Sequence, residues 1–87
     1  MEKIMKLKEV NNDYEHYFVD DDFKLQGEFK RYYPDSKLEF HAYFKDDNLH
    51  GEYKRYFEDG SLIFKRYYSN GQDITDMYNK LNVWKSL

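Results

Sequence analysis

The chain repeats itself. From Gly27 it reads GEFKRYYPDSKLEFHAYFKDDNLH, and from Gly51 it reads GEYKRYFEDGSLIFKRYYSNGQDI, an ungapped offset of 24 residues. Gly27 answers Gly51, Glu28 answers Glu52, and Phe29 answers Tyr53. Lys30-Arg31-Tyr32-Tyr33 answers Lys54-Arg55-Tyr56-Phe57, Leu38 answers Leu62, and Phe40 answers Phe64. A fixed short period marks a repeat array in which each unit is one supersecondary element. Whatever this chain folds into must be an array of such units plus whatever extends, caps or covers it.

The unit reads as a β-hairpin. Its runs are short and aromatic, and turn residues bound them. With tight turns at Asp35-Ser36, Asp47-Asn48 and Asp59-Gly60, Phe29 falls opposite Ala42, Tyr33 opposite Leu38, Ala42 opposite Tyr53, and Phe57 opposite Leu62. Side chains alternate along a strand, so this one register defines two faces. Phe29, Tyr33, Phe40, Phe44, Tyr53, Phe57, Phe64 and Tyr68 share the first face with Arg31, Arg55 and Arg66. Glu28, Lys30, Tyr32, Glu39, His41, Tyr43, Glu52, Lys54, Tyr56, Lys65 and Tyr67 share the second. The first face is expected to be buried and the second solvated.

Gly-Glu-aromatic-Lys-Arg-Tyr-aromatic, an Asp-Gly turn, and a second aromatic strand ending in Asn-Gly resemble the bacterial variant of the MORN repeat. The resemblance covers residues 27–71 well and residues 14–26 loosely. It implies a β-hairpin array that serves as a scaffold or interaction surface, often in small antitoxin-like proteins, and it brings no catalytic residues. Ser36 stands where the second unit has Gly60, and Asp47-Asn48 is taken to answer Asn70-Gly71.

The flanks read less plainly. Met1–Val10 is expected to be an edge strand, Asn11-Asn12-Asp13 a turn, and Tyr14–Val19 a strand. Tyr17-Phe18 before Asp20-Asp21-Asp22 echoes Tyr43-Phe44 before Asp46-Asp47. That suggests a degenerate half-repeat with a two-residue insertion. After Asn70-Gly71, Asp73 or Thr75 can cap a helix over residues 75–86, and Ile74, Met77, Tyr78, Leu81 and Trp84 fall at helical spacing. The helix is expected to lie on the first face, with Trp84 as its largest plug. If it does not cover that face, the face becomes an interface. The fold class is thus mainly β: an antiparallel meander of five or six strands from two 24-residue hairpin repeats, with a C-terminal helix packed on one face. One domain is expected, with residues 1–26, 27–50, 51–74 and 75–87 as its successive parts.

Composition narrows the function. Eighty-seven residues allow one small core. Aromatic residues make up 21% of the chain, too many for a disordered segment despite 36% charged residues. No cysteine is present, which excludes disulfides and thiolate metal sites. No apolar run approaches a membrane span. Lys3, Lys6 and Lys8 break the amino-terminal stretch, so a cytoplasmic location is expected. The net charge of −3 opposes binding to nucleic acid or anionic lipid. That excess sits entirely in residues 1–24.

No pair among His16, His41 and His50 has metal-ligand spacing, and no nucleophile-base pair or glycine-rich phosphate loop occurs. Neither an enzyme nor a cofactor is expected. The acidic turns fit no EF-hand spacing. The triplets Lys30-Arg31-Tyr32, Lys54-Arg55-Tyr56 and Lys65-Arg66-Tyr67 interleave charge and stacking rings as single-strand binders do. Simple solvation of an exposed face outweighs that reading.

The expected function is a non-enzymatic protein-interaction module, a small inhibitor or antitoxin-like protein acting as monomer or homodimer. Its expected contact residues are Tyr32, Tyr43, Tyr56 and Tyr67 with Lys30, Lys54, Lys65, Glu28 and Glu52, rimmed by Asp20, Asp21, Asp22, Asp46 and Asp47. Tyrosine offers contact area at low entropic cost. Two alternatives stand beside it. One is a phage or mobile-element inhibitor of a defence system, such as an anti-CRISPR protein, whose acidic turns mimic nucleic-acid charge. The other is a sheet that binds single-stranded nucleic acid.

Overall fold

A computed structural model of the protein describes residues 6–85, and the surroundings of side chains through Leu81. The strands are β1 (Lys8–Asn11), β2 (Glu15–Val19), β3 (Gly27–Tyr32), β4 (Leu38–Lys45), β5 (Asn48–Leu49), β6 (Gly51–Tyr56), β7 (Leu62–Ser69) and β8 (Gln72–Asp73). The helix α1 spans Thr75–Lys85. The strands form one antiparallel sheet in the order β1-β2-β3-β4-β6-β7-β8, with β5 folded back on β4. Six strands are substantial, and two are two-residue returns. The expected meander with a carboxy-terminal helix is the architecture found. Residues 1–5 of the expected edge strand, and the side chain of Trp84 in the helix, lie outside the described residues.

The central register is the expected one. Phe29 pairs with Ala42, and Phe40 pairs with Arg55 in line with the expected Ala42–Tyr53 register. The hairpin tips differ. Pro34-Asp35-Ser36 and Glu58-Asp59-Gly60 are three-residue loops, closed by Tyr33 N–H to Lys37 O and Phe57 N–H to Ser61 O, both 2.8 Å. Each is a type I turn followed by a left-handed residue. Proline sits at the first loop position, where its fixed φ suits that turn. The left-handed residue is Ser36 in one unit (φ +75°) and Gly60 in the other (φ +92°). Bulges beside Arg31 and Arg55 then set Tyr32 against Leu38 and Tyr56 against Leu62. The expected Tyr33–Leu38 and Phe57–Leu62 pairs do not form. The bulge also turns Glu39 to the Arg31 guanidinium at 3.2 Å, away from the lysine face expected for it. At the other end the two-residue turn is Asp46-Asp47 rather than Asp47-Asn48. Its φ values, +49° and +68°, match Asn70-Gly71 at +48° and +85°. All four values belong to the hairpin turn that follows right-handed strand twist.

The amino-terminal hairpin is a further copy of the unit. Backbone N–H groups of Gln26, His50 and Ile74, spaced by the sequence period, donate to Phe18 O, Tyr43 O and Tyr67 O. Phe18 thus answers Tyr43, Glu9 answers Glu28, and His16 answers His41. The insertion in the acidic turn is one residue, not two, and the copy has both strands. After each of these donors the next unit begins at Gly27 (φ +80°) and Gly51 (φ +114°), conformations that favour glycine. The third such position is Thr75. There the Asp73 carboxylate accepts the Thr75 N–H at 2.9 Å, and the chain enters a helix where another strand would begin.

The molecule is a plate 44 × 42 × 18 Å. Its only buried hydrophobic residues among those described are Val19, Phe29 and Ala42. Among the described residues the helix does not cover the first face. It meets the sheet at β7, where the Tyr78 ring stacks on Tyr67 of the second face. Met77 and Leu81 remain 62% and 57% exposed. The cause is the position of Thr75 at the outer edge of the sheet. A helix starting there, with one aromatic contact among the described residues, is held by Tyr67, not laid across the rings.

Candidate functional site

On the first face one aromatic ring comes from each of five consecutive long strands. Tyr17 stacks on Phe29 at 5.1 Å and 12°, and Phe29 on Phe40 at 5.4 Å and 5°. Phe40 meets Tyr53 at 6.0 Å, and Tyr53 stacks on Phe64 at 5.4 Å and 21°. Phe44 tilts against Phe29, and the Tyr68 edge meets Tyr53. Such spacings suit aromatic pairs, whose quadrupoles favour offset or edge contacts. The row follows from the sequence because inward positions of neighbouring strands are diagonal neighbours in the pleat.

Arginine lines this row. The Arg55 guanidinium lies 5.2 Å from the Phe40 ring centre and Arg66 lies 4.9 Å from that of Phe64. Arg55 also donates to the Tyr53 hydroxyl at 3.1 Å, which raises its already high pKa. Arg31 pairs with Glu39 and Glu15, and Arg66 with Asp73. The stems pack on rings while the heads stay wet, which reconciles three arginines with an aromatic face. Among the described residues no helix or strand covers the row; Phe29 is buried by its neighbours, and Tyr17, Phe40, Tyr53 and Phe64 are half-buried.

The second face brings together most of the residues expected to bind a partner, but it satisfies them internally. Glu28 pairs with His41 at 2.9 Å and Lys30 at 3.6 Å. Glu52 pairs with Lys54 at 2.8 Å and Lys65 at 3.5 Å. Lys54 stands directly opposite Lys65, and the shared Glu52 offsets their repulsion. The hydrogen bond from His41 depresses the Glu28 pKa, and that from Lys54 depresses that of Glu52. The contact with Tyr67 and the charge of Glu52 raise that of Lys65. Glu9 and His16 add a further pair at 2.6 Å. Of the tyrosines, Tyr43 is 37% exposed, Tyr32 and Tyr56 are half-buried, and Tyr67 lies against Tyr78.

The acidic turns meet at one end of the sheet. Gln26, buried, donates to Asp20 at 3.0 Å and Asp46 at 2.6 Å, and its carbonyl accepts the Asp46 N–H. The Asp47 carboxylate accepts the Leu25 N–H at 2.7 Å. The Gln26 bond holds the Asp20 carboxyl below the usual range. Asp20, Asp46 and Asp47 therefore knit two turns together, while Asp21 and Asp22 stand exposed. Sequence reading missed Gln26. The signal was its partner in the repeat, His50, whose Nδ1 accepts the Asn70 N–H in the same way.

No group of three or more His, Asp or Glu side chains that could hold a metal ion occurs among the described residues. Within the same residues no helix is long and apolar enough to cross a membrane. A family profile described as a MORN repeat variant matches the chain twice, over residues 25–46 and 49–70. No curated protein and no solved structure gives a match. The matched segments start at Leu25 and Leu49, one period apart, and together span half the chain. Each contains one aromatic hairpin with its left-handed tip, the unit from which the sheet is built. The chain belongs to the MORN repeat variant family.

Proposed function

We propose that this non-catalytic MORN-repeat sheet binds another protein through the aromatic row of its first face. The observation that carries the reading is the row itself. Tyr17, Phe29, Phe40, Tyr53 and Phe64 run unbroken across five strands with no covering element among the described residues. Aromatic and arginine side chains are the residues that dominate interface energetics. Here they alternate on one flat surface. The partner surface that fits is apolar at its centre and acidic where it meets Arg55 and Arg66.

Neutralising a partner is the form of binding we favour, in the manner of an inhibitor or antitoxin-like protein. Occluding a surface needs no chemistry. A second reading keeps the contact on Tyr32, Tyr43 and Tyr56 with the lysines of the other face. The exposure of Tyr43 favours it, and the internal pairing of Glu28 and Glu52 counts against it. A charge mimic of nucleic acid would rest on Asp21 and Asp22, since the other acidic turn residues are engaged.

Affinity capture from nuclease-treated host lysate tests these readings, with each variant's fold checked by circular dichroism. Tyr53→Ser and Phe64→Ser should abolish recovery of a discrete protein partner, while Tyr32→Ser and Tyr43→Ser leave it intact. The reverse pattern moves the site to the second face. Loss of all partners on nuclease treatment overturns protein binding.

A further inference from the structure

Among the described residues the outer edge of β7 is unpaired from Leu62 to Arg66. β2, β4 and β7 occupy the same place in successive units, each the second strand of its hairpin. The outer edge of β2 is filled by β3, with His16 opposite Lys30, and that of β4 by β6, with His41 opposite Lys54. The equivalent residue on β7 is Lys65, and from Leu62 to Arg66 no strand among the described residues lies beyond it. The Tyr67 N–H reaches Thr75 Oγ1 and its carbonyl accepts the Ile74 N–H, both away from β6. Backbone groups alternate in direction along a strand, so the Lys65 N–H and C=O point outward as well. Helix α1 departs at Thr75 and leaves this edge open. An open cleft of about 580 Å³ separates Phe64, Lys65 and Arg66 from β8 and the first helical turn.

The two sheet edges are not alike. β1 is four residues long, with Lys8 exposed on it and Lys6 exposed just before it, the usual guard against edge pairing. β7 is eight residues long, and Leu62 and Ile63 on it are 50% and 41% exposed. What it selects is charge. In the two filled edges a histidine of the receiving strand faces a lysine of the incoming one. On β7 the receiving residue is itself lysine and already stands opposite Lys54. Arg66 follows it, and the two side chains are 42% and 49% exposed although Lys65 lies 3.5 Å from Glu52 and Arg66 3.4 Å from Asp73. A strand of the chain's own β3 or β6 type would put a third lysine in that line. Pairing two copies of β7 would bring both sets of cations to one seam.

The geometry points to an extended acidic segment of a partner protein, added antiparallel to β7 as a further strand with a carboxylate opposite Lys65. Main-chain bonds supply affinity in this mode and alternate side chains supply selectivity. This site lies at the sheet edge, where Phe64 ends the ring row, and far from Tyr17 at the other end of that row.

The probe is a labelled synthetic peptide with the sequence of residues 50–58, which spans β6, and the same peptide carrying K54E. Fluorescence anisotropy reads binding, and hydrogen exchange reads the Lys65 amide. The protein should bind the K54E peptide about fivefold tighter than the unmodified one, a difference set by one like-charge pair becoming opposite. The Lys65 amide should gain protection. The K65E protein, in which residue 65 faces Lys54 with the opposite charge, should reverse the preference. Tyr17→Ser, at the far end of the ring row on β2, should leave peptide binding unchanged, so this proposal and the ring-face reading fail separately. Equal binding of both peptides and a scrambled control overturns the proposal. So does a concentration-dependent dimer that protects the Lys65 amide without peptide.

Discussion

The Tyr78 ring lies on the Tyr67 ring with centroids 3.6 Å apart and planes 19° from parallel. This stack is the one aromatic contact between helix and sheet among the described residues. A helix of 11 residues is marginal alone and depends on tertiary packing. Tyr78→Ala should therefore release α1 while the sheet persists. We expect far-UV circular dichroism to lose its helical component, with a stability loss of about 1 kcal/mol in urea unfolding. Retention of full helicity would mean that other contacts hold α1.

Ser36 and Gly60 occupy the same left-handed position in the two hairpin tips. A side chain there costs about 1 kcal/mol or more, because Cβ crowds the following carbonyl. Ser36→Gly should raise stability by roughly that order, less the extra chain entropy glycine releases on unfolding. Gly60→Ala should lower it by a similar amount, since nothing lies within 4 Å of the added Cβ and only backbone strain changes. Urea midpoints of the two variants should move in opposite directions.

Gln26 has a different kind of leverage. It is buried, and its amide holds Asp20 and Asp46 side by side. Gln26→Leu would leave two carboxylates without a shared donor and the Asp46 N–H without its acceptor. Lost partners of this kind cost about 1–3 kcal/mol. Thermal unfolding should show that loss at low salt and part of its recovery at high salt, where carboxylate repulsion is screened. Unchanged stability would show that water replaces the amide fully.

How far these features could be read in the sequence depends on what encodes them. The ring row was legible because Phe29, Phe40, Tyr53 and Phe64 sit at alternating positions, and a one-residue slip would scatter them. The polar face was legible for the same reason. The tips were misplaced because Asp-Gly suggests a two-residue turn, whereas Asp59 here accepts the Ser61 N–H and lengthens the loop to three. The amino-terminal unit was read as half a repeat because Val10 replaces an aromatic residue and the acidic turn holds an extra residue. Its identity lies in backbone bonds, such as Gln26 N–H to Phe18 O, that composition does not record. The helix was placed on the wrong face because its apolar spacing says that it packs, not where its first residue stands. That was set by Thr75 occupying the site of Gly27 and Gly51.

The polar face also sets the acid response. The bonds to His41 and Lys54 lower the pKa values of Glu28 and Glu52 in the folded state relative to the unfolded chain. A depressed carboxyl contributes stability above its unfolded pKa, about 4.3 for glutamate, and loses it as pH falls through the folded value. Wild-type protein should therefore hold its urea midpoint from neutral pH down to about that value and lose stability below it. Glu52→Gln removes the titrating group shared by Lys54 and Lys65, so its midpoint should be lower at neutral pH and fall less steeply in acid. His41→Ala should flatten the same limb through Glu28, whose largest perturbing contact it deletes. If both variants kept the wild-type acid slope, the ion pairs of the second face would contribute nothing to folding. Glu28 and Glu52 would then be free to engage a partner.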